Sequence, residues 1–132
     1  MSPDEWIYEY AIVRYFPFPE RGECINIGLV MLNKRKKWLK GKVLIDRNKV
    51  LSLNPKANLD LLQAQAELFE KTDLPKKDIP IEERYRWLTA EKSAVLRVSS
   101  SHPGIILGIP SEASSDELMD KEFSRLFSLL VE

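Results

Sequence analysis

Apolar and polar positions alternate through the first third of the chain. Ile7, Ala11 and Val13 alternate with Tyr8, Tyr10 and Ile12, so the stretch from Ile7 to Phe16 is apolar on both sides. That pattern belongs to a strand inside a sheet, where aromatic and β-branched side chains fill both pleated surfaces. Phe16-Pro17-Phe18-Pro19-Glu20-Arg21-Gly22 interrupts it, because two prolines withhold ladder donors and Gly22 admits a positive φ. Alternation resumes from Glu23 to Leu32, with Ile25, Ile27, Leu29 and Met31 on one side and Cys24, Asn26, Gly28 and Val30 on the other. Two such runs around a short Pro/Gly loop predict an antiparallel hairpin. After a turn over Asn33 to Lys37, a third strand is expected from Trp38 to Ile45, with Gly41 marking a bulge or a close approach.

The period then lengthens. Asp46 is placed to cap a short helix over Lys49 to Leu53, stopped by Asn54-Pro55. Asn58 caps a clearer one from Leu59 to Lys71, in which Leu62, Ala66 and Phe69 recur at helical spacing. Pro80 before Glu82 and Glu83 predicts one or two helical turns over Ile81 to Leu88, although Tyr85 and Trp87 also alternate with arginines as in a strand. Ala94 to Val98 and Ile105 to Ile109 read as a last strand pair, with Ser99-Ser100-Ser101-His102-Pro103-Gly104 as the turn between them. Ser114 and Glu117 form a capping box for a closing helix, along which Met119, Phe123, Leu126, Phe127 and Leu130 trace an apolar stripe.

The expected order is β-β-β-α-α-β-β-α, with one more short helix possible before the last strands. That is an α+β domain: a single antiparallel sheet of about five strands with helices packed on one face. With 132 residues and no repeat or low-complexity tract, the chain is expected to form one domain, 1–132. A formal net charge of zero gives no overall field favouring nucleic acid or an anionic membrane. One cysteine, Cys24, rules out an internal disulfide framework and fits a reducing compartment; beside Ile25 it reads as a small core filler. The opening MSPDEWIYEY shows no secretion signal and no apolar run reaches the roughly 20 residues of a membrane span, so a cytoplasmic location is expected.

Candidate chemistry gathers in three places. Arg14, Arg21, Glu23 and Asn26 cluster at the end of the first hairpin, where Arg14 falls opposite Glu23 or Cys24. They form either an anion site, since the arginine fork matches carboxylate and phosphate, or an ion pair that pins register. Arg84 and Arg86, interleaved with Tyr85 and Trp87, either bind an anion or base or flank two inward aromatics. Lys34, Arg35, Lys36, Lys37, Lys40 and Lys42 surround Trp38 in a basic hairpin that fits a nucleic-acid backbone with the indole stacking, or a sheet edge protected by lysines. His102 is the only histidine; no nucleophile motif, metal-ligand spacing or phosphate loop accompanies it, so neither catalytic residues nor a metal or other cofactor is assigned.

YEYAIVRYFPFPERGECINIGLVM (Tyr8 to Met31), ERYRWLTAEKSAV (Glu83 to Val95) and SSSHPGI (Ser99 to Ile105) together resemble the bacterial and phage family catalogued as domain of unknown function 3037. The likeness runs through nearly the whole chain in the same order. It singles out Tyr8, Tyr10, Arg14, Pro17, Arg21, Glu23, Asn26, Gly28, Arg84, Arg86, Trp87, Ser93, His102 and Gly104, with Leu29 where the family has valine. It implies a small standalone cytoplasmic protein and brings no reaction, cofactor or substrate.

The favoured expectation is a non-enzymatic binding or regulatory module, an accessory subunit of a bacterial or phage system with a protein partner and no membrane role. The alternative is an enzyme or ligand binder for a phosphate- or carboxylate-bearing compound, using Arg14, Arg21, Glu23, Asn26, Arg84, Arg86 and His102 brought to one pocket. A nucleic-acid contact through the hairpin 34–42 is the third reading, disfavoured by the neutral charge.

Overall fold

Strand β1 (Trp6–Tyr15) forms the centre of the sheet in this structure, a computed structural model that describes residues 5–109 and 113–132. On one side β1 pairs antiparallel with β2 (Ile25–Asn33), which pairs in turn with β3 (Trp38–Val43). Along its other edge lie two short strands end to end: β4 (Leu96–Val98) against Val13–Tyr15, and β5 (His102–Ile106) against Trp6–Tyr10. The helices are α1 (Arg47–Leu53), α2 (Leu59–Ala66) with a 3-10 turn over Glu67–Glu70, α3 (Ile81–Thr89) and α4 (Ser115–Leu130). The fold is therefore α+β with one five-stranded antiparallel sheet, as the sequence predicted.

Three details differ from the sequence reading. First, the segment Ser99–Gly104 does not reverse the chain. Both β4 and β5 run antiparallel to β1, and Val13 pairs with Val98 while Tyr10 pairs with His102, so three serines oppose two residues of β1. This is a bulge. Its ladder is completed by a side chain, since the Ile12 amide donates to Ser99 Oγ at 2.9 Å and Ile12 carbonyl accepts from the Ser99 amide at 2.9 Å. His102, Pro103 and Gly104 accordingly belong to β5.

Second, β2 carries an extra residue: Val13 pairs with Gly28, but Arg14 pairs with Asn26. The skipped Ile27 joins Val30 and Leu32 on one face, while Leu29 and Met31 point to the other. Third, the helices cover both faces rather than one. Val13, Tyr15, Val30, Leu32 and Val43 pack with Val50, Leu62, Phe69, Tyr85 and Leu88 of the α1–α3 layer. Trp6, Tyr8, Leu29, Met31 and Trp38 pack instead against Met119, Phe123, Leu126 and Phe127 of α4. A sheet apolar on both sides needs two covers, and one closing helix suffices for the second.

Local chemistry fixes the helix ends. Asp46 accepts from the amides of Asn48 and Lys49, Asn58 from Leu61, and Ser114 from Glu117 at 3.5 Å, so each cap read from the sequence is present. Lys92 closes the other end of α3, donating from Nζ to the carbonyls of Leu88 (3.0 Å), Ala90 (3.1 Å) and Trp87. Two glycines permit close approach. A Cβ on Gly41 would lie 1.8 Å from the Phe69 carbonyl oxygen, and one on Gly104 would lie 2.2 Å from the Tyr8 ring. Tyr8 is held there by its hydroxyl, which donates to Glu122 of α4.

Candidate functional site

The expected convergence of arginines and histidine does not occur. Arg14, Asn26 and His102 lie on the α4 face. Arg14 donates from Nε to Asn26 Oδ1 at 3.3 Å, Asn26 donates onward to the Leu130 carbonyl at 2.9 Å, and His102 packs against Tyr10 in a tilted arrangement with ring centroids 5.5 Å apart. Arg21 pairs with Glu23 at 2.8 Å, both exposed beyond the hairpin, so Glu23 is not the partner of Arg14. A 3-10 turn over Pro19–Arg21 and the bulge at Ile27 together shift the register that a simple loop would give. Arg84 and Arg86 belong to α3, in the layer over the opposite face.

Arg84 has a structural task. Its Nε donates to the Ile79 carbonyl at 3.1 Å and its Nη1 to the Thr72 carbonyl at 3.0 Å, which ties the connector between α2 and α3 to the start of α3. The basic hairpin is likewise engaged. Lys36, Lys40 and Lys42 lie over the rings of Trp6, Phe123 and Phe127 at 4.6, 5.1 and 4.7 Å, and Lys40 also pairs with Asp120 at 3.1 Å. Trp38, 8% exposed, packs edge-on against Phe123 and presents no face to a base. Cys24 is exposed in the loop before β2, contrary to its reading as a core filler.

Of the seven residues expected to share one pocket, Arg86 alone lines the groove beside α3. A groove of about 550 Å³ runs between α3 and the start of β1, with Ile7, Leu32 and Pro103 in its lining and Glu82, Tyr85, Arg86 and Thr89 along its α3 wall. Lys34 and Arg35 enter from the β2–β3 turn, and Glu9 from β1. Lys34 lies 3.9 Å from Glu82, and a second concavity sharing those two residues continues around the start of α3 past Lys37 and Ile81. Tyr85 sits at the back with its hydroxyl 2.8 Å from Ser101 Oγ. Burial pushes the Tyr85 phenol up to about 12; Glu9 adds to the rise and the Ser101 bond opposes it.

Beside this groove the sheet is bare. Ile7 and Ile105 pair across β1 and β5 and are 49% and 47% exposed, and Leu107 just beyond is 66% exposed. Glu9 and Ser101 carried no sequence signal of a site, because only the sheet register brings them to α3. Tyr85 was legible as an aromatic in a charged segment, and it proves to be both core and groove wall.

Among the described residues no group of three or more His, Cys, Asp or Glu is placed to hold a metal ion, and no helix is long and apolar enough to cross a membrane. No curated protein and no solved structure matches the chain. Residues 10–131, from the second motif tyrosine of β1 to the residue that closes α4, match the pattern of one protein family. The chain belongs to the family described as protein of unknown function (DUF3037).

Proposed function

We propose that this protein is a binding module, an accessory subunit of a bacterial or phage system that receives an amphipathic helix of a partner protein over the bare part of its sheet. The observation that carries the reading is the half-finished helical layer on the α1–α3 side. Val13, Tyr15 and Leu32 are buried under that layer, whereas Ile7 and Ile105 on the same face are about half exposed. A helix laid beside α3 would bury them together with Leu107 and fill the groove, as helices do when they enter an apolar trough in a partner. Lys34, Arg35 and Arg86 outnumber Glu9 and Glu82 around the groove, so an acidic flank is the complementary one. The exposed thiol of Cys24 suits a reducing, cytoplasmic setting.

A photo-crosslinking residue at Ile105, expressed in the native host with Lys121 as the control position, tests the reading. The expected product is a covalent adduct at position 105 only, whose mapped peptide is an amphipathic helix of net negative charge and which is lost in Arg86→Glu. Adducts to nucleic acid, to a second copy of this chain, or at both positions alike would refute it, as would none.

A further inference from the structure

We propose that Arg14 and Arg97 form an oxyanion-binding site on the α4 face of the sheet, separate from the groove and independent of the docking reading above. The two arginines are direct cross-strand partners, Arg14 on β1 and Arg97 on β4. Residues paired in this way project to the same face with their Cα atoms about 4.5–5.5 Å apart, and like charges so placed repel. A register with only structural demands would set an acidic or neutral residue opposite Arg14. Among the described residues no carboxylate lies within ion-pair distance of either guanidinium.

The two side chains are nevertheless fixed. Arg14 is held through Nε by Asn26 Oδ1, and Asn26 is itself oriented by its bond to the Leu130 carbonyl. Arg97 is held through Nε by the Ala94 carbonyl at 2.8 Å, and its Cζ lies 5.0 Å over the Phe16 ring. Both anchors take the inner edge of the guanidinium and neutralise nothing. Each terminal Nη pair is left without a hydrogen-bond partner among the described residues, which is the edge that grips a phosphate or carboxylate in the two-pronged fashion. Both arginines are partly buried, so an anion bound at them would be screened less than on an open surface.

A simpler role, with Arg14 neutralising the carbonyl end of α4, is already filled by others. The Leu130 carbonyl takes Asn26, the Val131 carbonyl takes Lys49 Nζ at 3.2 Å, and the Phe127 carbonyl takes the Val131 amide. Arg125 of α4 is committed to Glu122 through two hydrogen bonds of 2.7 and 2.9 Å. Arg14 and Arg97 therefore remain as the pair whose charge nothing in the described fold offsets. The ligand class is a phosphate monoester or inorganic phosphate, with a carboxylate as the weaker fit because it offers fewer oxygens to two forks.

Side-chain nitrogen–proton NMR of the full chain, titrated with inorganic phosphate, with a phosphoserine peptide and with acetate at constant ionic strength, tests this site. Saturable shifts of the Arg14 and Arg97 Nε resonances are expected with phosphate, weaker with acetate, with Arg86 unmoved. Affinity should fall about tenfold or more in Arg97→Gln, as expected for loss of a charge-assisted bond. Arg97→Gln should also melt at or above the wild-type temperature without phosphate, because a repulsion is removed, and should lose the stabilisation that phosphate gives the wild type. A phosphoserine peptide binding much more tightly than phosphate would identify a phosphorylated protein segment as the source; equal affinity would identify a free phosphate compound. Shifts shared by all exposed arginines, or no shift at Arg14 and Arg97, would overturn the assignment. So would a lower melting temperature of Arg97→Gln with its phosphate response intact.

Discussion

Gly41→Ala adds one methyl group at the point where the 3-10 turn after α2 crosses β3. The new Cβ would lie 1.8 Å from the Phe69 carbonyl oxygen and 2.9 Å from its carbon, where ordinary contact begins at 3.4 Å. The turn would have to retreat by roughly 1.6 Å on the distances of the closest pair. The obstacle is backbone, so no rotamer change relieves it. Retreat draws Phe69, 2% exposed, out of its contacts with the sheet and pulls at the bond between Glu70 Oε2 and the Val43 amide. Overpacking of this kind costs about 1–3 kcal/mol and more where backbone must move, so a loss of about 3 kcal/mol or more is expected. With an unfolding entropy of about 2.1 cal/mol/K per residue, that loss lowers the melting temperature by roughly 10 °C. Thermal unfolding followed by circular dichroism reads it directly, with Gly22→Ala as a comparison whose Cβ meets nothing within 4 Å and whose penalty is the positive φ alone. A Gly41→Ala protein melting within about 2 °C of wild type would mean that the turn does not rest on β3.

The Tyr8–Glu122–Arg125 network makes stability depend on pH in two directions. The Arg125 hydrogen bond, helped by Tyr8, holds the Glu122 carboxyl below the usual carboxylate range although burial opposes it. Its contribution is therefore complete above its unfolded value near 4.5 and is lost as pH falls through the lower native one. Burial and the neighbouring carboxylate raise the Tyr8 phenol, so its contribution is complete below 10.0 and is lost as pH rises beyond that. Tyr8→Phe should cost about 1.5–3 kcal/mol on the plateau between these limits, and urea titrations showing the same difference at every pH would refute the coupling. Arg84→Ala removes two bonds to carbonyls and should cost about 1.5–3 kcal/mol while speeding tryptic cleavage at Lys76 and Lys77; unchanged stability and cleavage would mean that the clamp is idle.

Features set by a residue and its near neighbours were legible in the sequence. The caps at Asp46, Asn58 and Ser114, the stripe Met119–Phe123–Leu126–Phe127 and the first hairpin all follow from spacing within a few positions. Gly41 was legible as a close approach because a glycine inside a strand leaves few other reasons for its presence. The two bulges were not, since an extra residue exists only relative to a partner strand. Ile27 keeps the period of its neighbours in sequence yet faces the other way. The serine run composes like a turn, but the Ile12 amide turns it into a ladder position. The candidate site scattered for the same reason. Arg84 looked like an anion ligand because its acceptors, the Thr72 and Ile79 carbonyls, leave no trace in side-chain composition. Arg97 carries no signal in the sequence because only the β1–β4 register sets it against Arg14.

The seat of β1 has a consequence for how the chain matures. Its ten residues are bonded on one flank by a segment made soon afterwards and on the other by residues 96–106, made almost last. While the ribosome works through the intervening helices, the nascent hairpin carries a naked flank of Tyr8, Tyr10 and Ile12, the kind of template that recruits a neighbouring chain. Slow translation between Leu44 and Ala94 should therefore raise aggregation more than an equal delay after Ile106, when that flank has been closed from within.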